Sequence, residues 1–450
     1  MAENTRELVL NMLLSIEREE AYSHLLIKDV LEKYDYLSGQ DKAFMKRLFE
    51  GTIERRIEID YDINQFASIP VKTMKPFIRN LLRMSAYQIL FMDGIPDFAA
   101  INEAVKLADR HKFHNLKGFV NGVLRKLSAG KDSLMRPERE KNPEEYLSIT
   151  YSMPEWIVRH FLKEYSVQRT EAILKSFLNV RPVTFRFSVK VSLKEREDWI
   201  RQVEEKGCIV CRHPFYEQAY YLKNCENVTN LPGFREGVFT LQDVSSMAAV
   251  AAAGIRPGDT VMDVCAAPGG KTILASEYAG KDGHVYAGDI SPGKVSLIEE
   301  YKERMGAFQV TAKVWDATKF DESMASAADV VIADVPCSGL GVMGRKRDIK
   351  YRQKEEHLQE ICALQKAIVQ NAVRYVKPGG IFLYSTCTIN REENEKMAEW
   401  LEREQGMIPV SVAGEMKAFP GAVTAEKGYV QLMPDTDDTD GFFFAKFRKE

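Results

Sequence analysis

The chain has 450 residues, 45% of them apolar and 28% charged, with a formal net charge of -3. That balance excludes a wholly disordered or fibrous protein, and the length asks for about two to four domains at ~100–200 residues each. A slightly acidic chain cannot coat nucleic acid indiscriminately, because phosphate binding rests on Lys and Arg, so any RNA contact must come from local basic patches.

Glu3, Arg6 and Glu7 interrupt the first turns of the chain, which excludes the apolar core of a signal peptide and sets the expectation of a cytoplasmic protein. The longest apolar run, 247–255, is far short of the ~20 residues that span a bilayer, so no membrane partner is expected. Seven widely spaced cysteines read as free thiols in a reducing compartment.

From Glu7 to Leu127 apolar residues recur at helical spacing, as in Leu8, Met12 and Ile16 and again in Ile78, Leu81, Leu82 and Ile89. This predicts a compact all-α bundle with turns at Ser38-Gly39, Ile69-Pro70 and Asp93-Gly94-Ile95-Pro96. Residues 130–145 are charged and proline-punctuated, which marks a linker. Helices resume around Trp156 and Ala172, and from Val183 the alternation of Thr184, Phe185, Arg186, Phe187, Ser188 and Val189 begins a small α/β subdomain.

After Gly258, strand and helix patterns alternate over 260–264, 272–278, 284–289, 294–305, 309–315, 330–333, 360–376 and 381–384. Such alternation predicts an α/β domain with a mostly parallel sheet, whose ligands sit beyond the carboxyl ends of the strands. The expected domains are 1–130, 145–235 and 236–450.

The segment Asp263-Val264-Cys265-Ala266-Ala267-Pro268-Gly269-Gly270-Lys271 follows the first of these strands and opens a helix. It is neither the dinucleotide fingerprint nor a P-loop, so a different nucleotide-like cofactor fits. Asp289, Asp316 and Asp334 close the next strands, where carboxylates can accept hydrogen bonds from ribose hydroxyls or an amino group. Cys337, in Asp-Val-Pro-Cys-Ser, and Cys387, in Ser-Thr-Cys-Thr, also begin loops after buried strands. Two thiols on one sheet edge suit nucleophilic catalysis, with Lys271 a candidate cation to favour the thiolate. Spacing alone does not say which thiol attacks.

The motifs DVCAAPGGKT at 263–272, DVPCSGLG at 334–341 and YSTCT at 384–388 resemble the RNA 5-cytosine methyltransferases, specifically the bacterial RsmB (Sun/Fmu) group. LLRMSAYQILFMDGIPDFAAINEAVKLA at 81–108 and KGFVNGVLRKL at 117–127 resemble the NusB-type RNA-binding domain fused to that group, so the resemblance covers nearly the whole chain. It implies an all-α NusB-like bundle, a small α/β RNA-binding insert and a Rossmann-like methyltransferase domain. The implied cofactor is S-adenosylmethionine, held by Cys265, Ala266, Ala267, Pro268, Gly269, Gly270 and Lys271 with Asp289, Asp316 and Asp334, and no metal is implied. The implied substrate is a cytosine of 16S ribosomal RNA, naked or in an early assembly intermediate, met by a monomeric enzyme.

In that family the thiol corresponding to Cys387 attacks carbon 6 of cytosine, which makes carbon 5 nucleophilic towards a methyl group. The thiol corresponding to Cys337 assists release, while Asp334 can hold or protonate the base at N3. The base must be unpaired or flipped out of a helix. Alternatives are another RNA substrate such as tRNA or 23S ribosomal RNA, a small molecule or protein side chain, or a catalytically silent RNA-binding assembly factor. Residues 185–188, Phe-Arg-Phe-Ser, depart from the asparagine more usual in the family.

Two basic sets are candidate phosphate contacts. Arg345, Lys346, Arg347, Lys350, Arg352 and Lys354 follow the Cys337 loop, and Arg110, His111, Lys112, His114, Lys117, Arg125 and Lys126 fall in the helical region. Cys208, Cys211 and His213 lack a second ligand pair, so no zinc site is expected. The acidic residues of 435–440 read as a turn before a last strand.

Overall fold

The computed structural model describes residues 4–19, 21–225 and 227–450; Glu3, read above among the charges that break any leader, lies outside them. The chain divides into two compact units, Met1–Leu178 with Met343–Glu355, and Asn179–Val342 with Glu356–Glu450. Among the described residues no helix is long and apolar enough to cross a membrane.

In the first unit the helical spacing of apolar residues becomes the helices Thr5–Glu19, Ser23–Lys33, Gly39–Glu54, Arg56–Asn64, Pro76–Phe91, Asp97–Arg110 and Lys117–Gly130. Ser38 caps Gly39–Glu54 by accepting from the Asp41 N–H at 3.1 Å, which satisfies one of the free donors of the first turn. Pro76–Phe91 is buried around most of its circumference, through Phe77, Leu81, Leu82, Met84, Tyr87 and Ile89, as a central bundle helix must be.

Three more helices, Pro143–Thr150, Glu155–Glu164 and Val167–Ser176, extend this unit to residue 178. The helices expected around Trp156 and Ala172 thus fall in this unit. The cause is a tertiary tie: Ser152 Oγ accepts from the Ile57 N–H at 2.9 Å, while Ile157, Val158 and Phe161 form one buried stripe.

Residues 343–355 are also part of this unit, and three of the six cations expected to form a phosphate-gripping flap, Arg347, Lys350 and Arg352, are engaged inside it. Arg347 pairs with Glu50 at 2.7 Å and Glu54 at 2.8 Å. Arg352 pairs with Asp348 at 2.8 Å, and Asp348 accepts from the Ser23 hydroxyl at 2.5 Å. Lys350 is 3% exposed and donates to the carbonyls of Glu54, at 2.8 Å, and Ser152, at 2.6 Å. Acids and carbonyls remote in sequence consume these cations.

Burial lowers the Lys350 ammonium to about 7, below the ~10.4 of an unfolded lysine. Between those values the unfolded chain binds the extra proton, so this residue makes the fold more stable as pH rises from about 7 to about 10. The difference in melting temperature between wild type and Lys350→Met is therefore expected to shift in favour of wild type over that range. A pH-independent difference in calorimetric melts overturns the assignment.

The second basic set is partly neutralised. Glu7 pairs with Arg110 and with His111, the latter at 2.7 Å; Asp109 pairs with His114 at 2.5 Å and Lys117 at 3.0 Å. Lys112, Arg125 and Lys126 are exposed.

The second unit begins with an antiparallel sheet of order β2-β3-β1-β4, made of β1 (Val183–Phe187), β2 (Ile209–His213), β3 (Tyr216–Lys223) and β4 (Phe239–Leu241). Phe185, Phe187, Trp199, Tyr220 and Phe239 form its core. Ile209 pairs with Lys223, and this register brings Cys208 and Cys225 to a Cα separation of 5.2 Å in a disulfide. The expectation that all seven cysteines are free is corrected for these two; Cys211 is free and exposed. Among the described residues no cluster of His, Cys, Asp or Glu could hold a metal ion.

The larger sheet contains β5 (Thr260–Asp263), β6 (His284–Asp289), β7 (Val310–Val314), β8 (Ala328–Asp334), β9 (Val376–Thr386), β10 (Ile408–Pro409), β11 (Tyr429–Leu432) and β12 (Phe442–Arg448). Its order is β10-β12-β9-β8-β5-β6-β7, with β11 on β12. Strands β5 to β9 pair in parallel, while β12 joins β9 antiparallel. Apolar cores cover both faces, as crossover helices require. The acidic residues 435–440 form the turn that leads into β12.

Candidate active site

Strand β5 buries Val261 and Met262 and ends on Asp263, after which the chain turns into the helix Gly270–Ala279. Gly269 has φ 111°, a conformation that L side chains avoid. The loop is pinned to the neighbouring strand, with the Ala266 N–H donating to the Gly288 carbonyl at 2.8 Å and the Ala267 N–H reaching Asp289 at 3.4 Å. A Cβ on Gly288 would meet the Trp315 ring at 2.6 Å, so only glycine fits there. Cys265, Ala266, Ala267, Pro268, Gly269 and Gly270 thus line one backbone turn beside Asp289.

The strand-end acids have different settings. Asp263 is fully buried; burial pushes its carboxyl up to about 7 against a hydrogen bond from Thr272 at 2.7 Å, and its Oδ1 has no hydrogen-bond partner. Asp289 is 6% exposed, with Lys294 at 3.4 Å. Asp316 lies two residues beyond β7 in a turn, where hydrogen bonds from Thr318 and Lys319 hold it below the usual carboxylate range. Asp334 receives the Lys271 ammonium at 2.7 Å and the Ser385 hydroxyl at 2.7 Å.

Both thiols predicted at strand ends come together. Asp334 pairs with Ser385 across the parallel β8–β9 ladder, and the loops that follow bring Cys337 Sγ to 3.2 Å from Cys387 Sγ. The contact with Cys387, together with burial, pushes the Cys337 thiol well up, so it stays protonated. Burial lowers Lys271, but Asp334 more than offsets this and keeps it an ammonium, with Cys387 within electrostatic range. Burial raises Cys265 beyond the thiolate range, consistent with a loop residue and not a third nucleophile. The arrangement supplies a thiol pair, a fixed cation and a carboxylate at one sheet edge.

A buried polar network behind these loops escaped the sequence reading. The Glu393 carboxylate is 0% exposed and accepts from the Ser338 N–H at 2.9 Å, the Ser338 hydroxyl at 2.5 Å, Gln365 at 2.9 Å and Asn390 at 2.9 Å. Gln365 also donates to the Pro336 carbonyl at 2.9 Å, and Tyr384 to the Glu393 carbonyl at 2.6 Å. Both thiol loops are thereby fastened to one carboxylate. Arg186 was noticed only as a departure. It is 2% exposed, bonded to Gln242 at 2.7 Å and Glu277 at 2.5 Å, and Gln242 reaches the Gly270 carbonyl at 3.2 Å. An arginine alternating with core phenylalanines was the one available signal.

Residues 251–448 match the family model of the 16S rRNA methyltransferase RsmB/F, and residues 3–129 that of the NusB family. The probable ribosomal RNA small subunit methyltransferase B of Bacillus subtilis (strain 168) is 33% identical over 450 residues, covering 99% of each chain. The crystal structure of PH0851 is similar at TM-score 0.81 and 24% identity, with both chains covered in full. That of NSun6 from Pyrococcus horikoshii with SFG is similar at TM-score 0.58 and 21% identity, over 66% of this chain and 98% of that one. At those identities the two structures speak for the fold alone, a Rossmann-like methyltransferase sheet. With a NusB family region followed along the chain by a Rossmann-like, S-adenosylmethionine-dependent methyltransferase domain, the chain belongs to the RsmB/F family of 16S rRNA methyltransferases.

Proposed function

We propose that the protein methylates carbon 5 of a cytosine in 16S ribosomal RNA through a covalent bond between Cys387 and carbon 6 of the base. The observation that carries this reading is the pair of sulfurs 3.2 Å apart at the ends of adjacent parallel strands, beside the Lys271–Asp334 ion pair. The relative from Bacillus subtilis, with its small-subunit name, supports the choice of RNA.

The donor set fits S-adenosylmethionine: a glycine turn open to close approach, a buried aspartate oxygen without a partner, and acids suited to ribose hydroxyls at Asp289 and an amino group at Asp316. Residues 265–271 and Asp334 complete the cofactor side. When bound, the cofactor supplies a methyl group on a positively charged sulfur. Lys271 stabilises the Cys387 thiolate, which adds to carbon 6 while Asp334 supports N3 of the ring. Cys337, held at the same edge, assists release: once the Cys387 sulfur is bonded to carbon 6 it no longer raises the Cys337 thiol, which gives its proton to solvent and, as the thiolate, takes the proton from carbon 5; the electron pair left behind re-forms the ring double bond and the Cys387 sulfur departs as a thiolate. The target base must leave its stack to reach these groups. The helical region 1–130 and the subdomain ahead of the catalytic domain serve as RNA-binding parts of a cytoplasmic monomer.

Tritiated methyl transfer to unmodified 16S ribosomal RNA, followed by bisulfite sequencing, tests the reading. One cytosine is expected to become protected from conversion. Label on any other atom, or none on this RNA, sinks it.

A further inference from the structure

Nothing above uses a cavity of about 340 Å³ within the helical unit. Its walls come from the helices that begin at Thr5, Gly39, Arg56 and Pro76, and from the segment that follows the Cys337 loop in sequence. Most charges in it are satisfied. Arg83 makes a two-pronged pair with Asp60, at 2.7 and 2.6 Å, and Arg352 pairs with Asp348 at 2.8 Å. Glu17 is paired by Arg79 and accepts from Asn80 at 2.8 Å.

Two cations are left over. Arg56 lines the cavity with its guanidinium 3.5 Å over the Tyr351 ring, and among the described residues it has neither an ion pair nor a side-chain hydrogen bond. Its five N–H donors therefore have no protein acceptor, and burial lowers its proton affinity against the opposing pull of Tyr351, Asp60 and Glu17, none of which pairs with it directly. Lys354, exposed at the same cavity, is likewise without an acid. A guanidinium held flat on an aromatic ring is pre-organised to present a fork to phosphate oxygens.

We infer that this cavity is a binding site for a phosphodiester of the RNA substrate, with Arg56 and Lys354 as its cations and Tyr351 as the platform that orients Arg56. The inference rests on the RNA substrate proposed above. A diester of a continuous strand is favoured over a free mononucleotide because the wall residues Tyr351 and Lys354 lie on the chain that leaves the Cys337 loop. A strand that engages them ties substrate binding to the segment carrying the release thiol.

The test uses the full-length protein with Arg56→Gln and Lys354→Gln, a labelled single-stranded fragment of 16S ribosomal RNA read by anisotropy at several salt concentrations, and adenosine monophosphate titrated by calorimetry. Each variant is expected to weaken RNA binding about tenfold and to lower the slope of log affinity against log salt by about 0.7. Affinity for S-adenosylmethionine should stay at the wild-type value and report an intact fold. If Arg56→Gln melts early, the exposed Lys354 still gives the answer. Unchanged RNA affinity and slope in variants of an enzyme that still methylates the RNA overturn the inference alone. Loss of only the mononucleotide's binding overturns it in favour of a free ligand. A wild type that neither binds nor methylates this RNA overturns both readings.

Discussion

Cys387→Ser is expected to abolish methyl transfer, by about 10³-fold or more, whereas Cys337→Ser is expected to accumulate a protein–RNA adduct that survives denaturing electrophoresis. The difference follows from the roles proposed above for the two sulfurs. Burial and the contact with Cys387 push the Cys337 thiol up. Cys387 shares its electrostatic environment with an ammonium that Asp334 keeps charged. A serine hydroxyl at 387 is not ionised under these conditions, and carbon 6 is left without an attacker. With serine at 337 the attack proceeds and the carbon–sulfur bond outlives the turnover. Gel shifts with S-adenosylmethionine and a 16S fragment, run beside tritium transfer, read both steps. An adduct formed by the Cys387→Ser protein alone would exchange the two roles.

Glu393→Ala is expected to cost about 3–5 kcal/mol of stability, because four donors that now point at one carboxylate lose their acceptor inside the protein. Ser338 follows Cys337 directly and Asn390 lies three residues beyond Cys387, so the same change should also loosen the sulfur pair and slow adduct formation. Chemical denaturation and the rate of adduct formation measure the two effects. A variant within 1 kcal/mol of wild type that forms adduct at the normal rate would show that the network sets neither.

The catalytic edge was legible because parallel strands buried on both faces end abruptly in polar residues. Asp263, Asp289, Asp334, Cys337 and Cys387 all stand at or just beyond such ends, and the local pattern is enough to see this. Asp316 likewise stands two residues past the end of β7, beyond Trp315. Within the run Arg345 to Lys354, Arg347, Lys350 and Arg352 read as free phosphate contacts because composition cannot show that Glu50, Glu54 and Ser23, about 300 residues earlier in the chain, meet this segment. Glu393 was hidden for the mirror-image reason, since Asn-Arg-Glu-Glu-Asn reads as a solvated helix start until Ser338 and Gln365 are brought against it. The Cys208–Cys225 bridge depends on the register of β2 and β3, which alternation alone leaves open.

The excursion of residues 343–355 out of one unit and into the other has a consequence for anyone wishing to dissect the protein. No single scission separates it into two whole pieces. A fragment starting at Asn179 would carry Lys350 and Tyr351 stripped of Glu54, Ser152 and Arg56, and the helical fragment would keep a vacant seat where they belong. Evolution of this chain by swapping one half for another would have to move both strands of that crossing together.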